Sequence, residues 1–314
     1  MNRKAIVIPF LLLISMSLGA CGLSTAQTDA TIKFADAATQ FGNVTSTELG
    51  YMRDQTVAMN TAFYRIPDLP TKDRAANSSE EIGVPADIDA EGYKNLAQYF
   101  ASDWYPVFLS GPVAMSAYGS AITSMLNADN SNQIKQASDN LAAALKAIPD
   151  SPVSAASSAA ISGLSQQLTE WLLADMKAHA IRAVVDNANM AVDEICSKVG
   201  TDFMAKSDAK SLPWRFSETA KLLYASSEQG LKNHKTQPQP RADSLSGYIL
   251  AQSALDNVNT TFPKIVEASK TCGSANTALV EALHNRSYNI KDIENFFQQA
   301  KELYTNVKGL AATQ

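Results

Sequence analysis

The chain predicts an all-α protein, an elongated antiparallel helical bundle with one or two very long helices. Three observations lead there. Apolar residues return at steps of three and four over most of residues 31–312, the period of a helical face. Ala and Ser are abundant and β-branched runs scarce, which favours helix over sheet. No useful stretch alternates apolar with polar residues, so no strand is predicted.

At the amino terminus, Arg3 and Lys4 precede an apolar stretch from Ala5 to Ile14. It has signal-peptide length and is short for a membrane span. Leu18-Gly19-Ala20-Cys21 follows. This segment resembles the lipobox of bacterial lipoproteins, and the resemblance covers residues 1–21 only. It implies that residues 1–20 are a signal peptide and that cleavage leaves Cys21 as a lipidated first residue. Several acyl chains hold a protein firmly to a bilayer. Gly22 rather than Asp follows the cysteine, which by the same resemblance implies the outer membrane, with the body facing the periplasm. The competing reading is an ordinary secretory peptide with a chance cysteine.

Small polar residues over 21–30 predict a flexible, lipidated tether. A helix then follows from Thr31 to Tyr64, with Gly42 and Gly50 as weak points and Pro67 and Pro70 as its end. Ile66 to Asp89 is irregular, either functional or disordered. Helices are expected over Ala90–Ser102 and from Gly111-Pro112 to Asn127. Tyr99, Trp104 and Tyr105 lie in the most aromatic region, either a core at a helix junction or a partner surface. The loop Asn127–Asn132 lacks the Gly and Glu of a calcium loop. Asn130 and Gln133 instead suit the cap of a helix reaching Ile148.

Ser151-Pro152 has the form of a helix start. Ile161, Leu164, Leu168, Leu172, Met176, Ala180, Val184, Ala188, Val192, Ile195 and Val199 then keep helical spacing without an intervening proline. That predicts one central rod over about 152–199, roughly 70 Å long. Gly200 marks its end or a kink. Further helices are expected from Ser211-Leu212-Pro213, from Asp243 or Ser244 to Cys272 with a kink at Pro263, over Thr277–Arg286, and from Asn289 to Gly309. The bundle covers 31–312, with 31–148 and 151–312 as sub-bundles in one arrangement of it.

The formal charge is −5. Without residues 1–20, 24 basic residues face 31 acidic ones, a balance of −7. An acidic chain without a basic cluster argues against nucleic acid and against electrostatic docking on anionic lipid. Cys196 and Cys272 are the remaining cysteines. An oxidising compartment favours a disulfide between them, with two buried thiols as the alternative. Neither has a ligand-spaced partner for a metal, and no metal or cofactor is expected.

His179 follows Asp175 by four residues, and Arg182 and Asp186 continue the row. The row suits a strip of ion pairs, and alternatively an Asp–His base. No HExxH, GxSxG, Walker or GxGxxG motif occurs. The expectation is therefore a non-enzymatic envelope lipoprotein that binds another envelope component as scaffold or accessory subunit. Membrane contact is made through the lipid. The alternatives are a ligand-binding helical bundle and a hydrolase without a recognisable motif.

Overall fold

The structure, a computed structural model, describes residues 22–66, 104–164, 173–204, 212–285 and 288–311. The protein is all-α: eight helices and no strand occur among the described residues. They are α1 (Thr25–Arg65), α2 (Trp104–Leu126), α3 (Ser131–Lys146), α4 (Pro152–Leu164), α5 (Leu173–Phe203), α6 (Leu212–Asn233), α7 (Pro238–His284) and α8 (Lys291–Ala311). One continuous apolar core draws on all eight, so the two halves, 31–148 and 151–312, share it.

Helix α1 begins earlier than expected. Ser24 and Gln27 close a capping box: Ser24 Oγ accepts from the Gln27 amide at 3.2 Å, and Gln27 Oε1 accepts from the Ser24 amide at 2.9 Å. Two orphan donors of the first turn are thereby paired. Of the flexible tether expected over 21–30, residues from Thr25 onward are helix. Gln27 also donates to the Ala282 carbonyl at 2.7 Å, tying the start of α1 to the end of α7. Helix α1 runs through Gly42 without ending. A Cβ there would sit 2.4 Å from the Pro112 carbonyl oxygen, so the glycine lets α2 approach backbone to backbone.

Helix α2 starts at Trp104 and includes Pro112. Pro106 falls in its first turn, where a missing N–H breaks no intrahelical bond. The helix expected over Ala90–Ser102 lies outside the described residues. Helix α3 starts as predicted, with Asn130 Oδ1 accepting from the Gln133 amide at 3.1 Å.

The central rod is overturned. Ser151 does cap α4, its Oγ accepting from the Ser154 amide at 3.1 Å. The same hydroxyl donates to Glu194 Oε2 at 2.7 Å. On one unbroken helix those residues would stand roughly 65 Å apart. The chain therefore reverses between α4 and α5, and residues 165–172 lie outside the described residues. The apolar face persists through the reversal because both arms bury the same kind of stripe, and periodicity reports burial rather than continuity.

Among the described residues the longest helix is instead α7, with 47 residues. It starts at Pro238, ahead of the start expected at Asp243 or Ser244, with proline at its first position. It passes Pro263 and Gly273 without ending, so the separate helix expected from Thr277 is its continuation. Gly200 likewise lies within α5. A Cβ there would come 2.4 Å from Ser269 Oγ, so Gly200 permits a close crossing of α5 and α7. Helix α8 opens where predicted, Asn289 Oδ1 accepting from the Lys291 amide at 2.9 Å.

Aromatic rings fill the contacts of α1, α2 and α8. Phe34 lies 5.9 Å from Tyr118 and 5.8 Å from Phe296, and Phe41 lies 5.7 Å from Phe296, all centroid to centroid. Such edge and tilted pairs add to the area they bury. No described helix is long and apolar enough to cross a membrane.

Candidate binding groove and buried polar seam

Cys21 and Tyr99 lie outside the described residues, as does the side chain of Trp104. Tyr105 is half-buried on α2, its ring facing the Arg53 guanidinium of α1 at 5.4 Å. Burial lifts its phenol above the usual range, and Arg53 partly offsets that lift. The arrangement is a cation–π contact that joins two helices.

Cys196 and Cys272 form the predicted disulfide, with Cα atoms 5.8 Å apart, inside the range a bridge requires. Both are buried, and the bridge locks α5 to α7. Beside it lies a groove of about 470 Å³. Asp193, Ser197 and Thr201 of α5 form one wall, and Lys270, Ser274 and Thr277 of α7 the other. Partial burial raises the Asp193 carboxyl above its ordinary value. Hydroxyls, one carboxylate and one ammonium on facing helices can orient a polar ligand. The groove combines side chains about 76 residues apart in sequence, so nothing local announces it.

The row on α5 reaches across to the end of α7. His179 is exposed. Asp186 instead accepts from His284 Nε2 at 2.8 and 3.0 Å, and Arg182 Nε donates to the Leu283 carbonyl at 3.0 Å. Together with Gln27, Arg182 satisfies carbonyls at the end of α7 that its own helix leaves unpaired. Three or more His, Cys, Asp or Glu side chains that could hold a metal do not gather among the described residues.

Sequence reasoning missed two buried polar groups. Tyr118 donates to Asn276 Oδ1 at 3.0 Å, and Asn276 Nδ2 donates to Asn189 Oδ1 at 2.6 Å, so α2, α7 and α5 share one chain of bonds. Burial raises the Tyr118 phenol, and the Asp186 and Asp193 charges raise it further. In the α1–α7 seam, Asn257 Nδ2 donates to Glu48 Oε1. Glu48 is 2% exposed. Burial pushes its carboxyl up to about 7, against which the Asn257 bond acts. A signal was present. Steps of three and four from Phe41 pass through Thr45 and Glu48 to Met52, which puts polar residues on the core face.

Compared with known proteins, the chain matches no family model, no curated protein and no solved structure.

Proposed function

We propose that the mature protein is a lipid-anchored helical bundle of the bacterial outer membrane, facing the periplasm, that works by binding another envelope component as scaffold or accessory subunit. The observation that carries this reading is Leu18-Gly19-Ala20-Cys21 behind a positive and an apolar stretch. A lipid at Cys21 makes the bundle a fixed fixture, for which contact with a neighbour is the natural work. The surface proposed for that contact is the aromatic junction of Tyr99, Trp104 and Tyr105. Trp and Tyr are the usual anchors of interfaces. Trp104→Ala should reduce recovery of the partner from crosslinked envelopes by about 30-fold, an anchor's worth of roughly 2 kcal/mol. A variant that binds as the wild type does, or simply melts, removes the assignment.

A second reading, a ligand-binding bundle, is favoured by the groove beside the disulfide. Ser274 is exposed on its wall, so Ser274→Trp should block the groove without disturbing the core. Loss of partner recovery in that variant, with Trp104→Ala unaffected, would move the contact to the groove.

A further inference from the structure

Several helical threonines in this protein share one habit. Thr31, Thr39, Thr47, Thr56, Thr201, Thr260 and Thr305 each donate to the carbonyl four residues earlier, at 2.7–3.0 Å. Thr45 and Thr261 break it. Both are fully buried, and neither hydroxyl has a hydrogen-bond partner. Asn257 Oδ1 is also buried and without a partner, although its amide nitrogen serves Glu48.

These groups fall together. Contacts Gln27–Ala282, Glu48–Asn257 and Tyr51–Ser253 set the register of α1 against α7, which run in opposite directions. That register puts Thr45 opposite Thr261, one turn from the Glu48–Asn257 bond. Thr45 and Glu48 are three apart on α1, and Asn257 and Thr261 four apart on α7, so each pair shares a helix face. The seam thus gathers three partnerless oxygens beside one carboxyl. Burying such oxygens without partners is unfavourable, and the three of them with the Glu48 carboxyl form a set of hard donors.

We propose that Thr45, Glu48, Asn257 and Thr261 form an internal site for one small monovalent cation of sodium size, held by two hydroxyl oxygens, the Glu48 carboxylate and Asn257 Oδ1. No ion pair among the described residues involves Glu48. A bound water would pair the oxygens yet leave a buried carboxylate uncompensated, whereas a cation neutralises it. A divalent ion fits poorly, because calcium takes six to eight oxygens and usually several carboxylates. The ion would fasten α1 to α7 midway along the seam.

Thermal unfolding of the full-length protein in detergent tests this, at pH 8 and constant ionic strength, in sodium, potassium or N-methylglucamine chloride. Sodium should raise the midpoint by about 3 °C or more over N-methylglucamine. The increment should vanish in Glu48→Gln and in Thr261→Val. Thr261→Val removes the hydroxyl and keeps the shape, so a ligand role and a packing role separate: the sodium increment is lost while the sodium-free midpoint holds or rises. Equal midpoints in sodium and N-methylglucamine would mean that the oxygens hold water only, and would overturn the proposal. A sodium increment that survives both substitutions would place the ion elsewhere and overturn it equally.

Discussion

The Ser151 hydroxyl lies 2.7 Å from a carboxylate oxygen of Glu194, 43 residues further along the chain. That bond closes the α4–α5 reversal at its open end while the same oxygen caps α4. Ser151→Ala should remove both roles and cost about 1–2 kcal/mol in urea unfolding. Glu194→Gln should cost less, because an amide oxygen still accepts. A Ser151→Ala protein as stable as the wild type would show that the bond contributes nothing.

Reduction of Cys196–Cys272 gives the second prediction. The bridge spans a sequence separation of 76, for which the chain-entropy model gives about 4–5 kcal/mol. Urea unfolding with and without reductant should differ by up to that amount. Mass mapping without reductant should recover the two cysteines in one linked peptide pair, and recovery of both as free thiols would contradict the structure.

What the sequence made legible was burial. The apolar stripes over 31–64 and 173–203 are core-facing, and the caps at Asn130, Ser151 and Asn289 form where their residue types predict. Continuity was not legible. Gly163 and the residues after it carry no strong breaker, yet the chain reverses between Leu164 and Leu173, whereas Gly273 looks like a helix end and α7 runs through it. Packing against four neighbouring helices outweighs such local preferences in α7. Gly42 reads as a weak point and Gly200 as an end or a kink, and each serves as a point of close helix contact. Of the three residues of the aromatic junction, the Tyr105 side chain lies among the described ones.

The third prediction concerns pH. The Glu48 carboxyl rises from 4.5 to about 7 on burial, so the folded chain holds a proton that the unfolded chain has released. Stability should therefore fall as pH rises from about 4.5 to about 7 and stay reduced above that. The loss from this group is on the order of 3 kcal/mol. In sodium-free buffer, denaturant unfolding across that window should show the slope in the wild type and a flatter profile in Glu48→Gln. Identical profiles would show that Glu48 is not protonated in the fold.

Membrane partition of Cys21→Ser tests the central claim most directly, read together with the mass of the mature amino terminus. After a high-salt wash the wild type should remain with the outer membrane and begin at an acylated Cys21, while the variant should be released in soluble form. Equal membrane retention of the two, or a mature chain that begins elsewhere without lipid, would contradict the account.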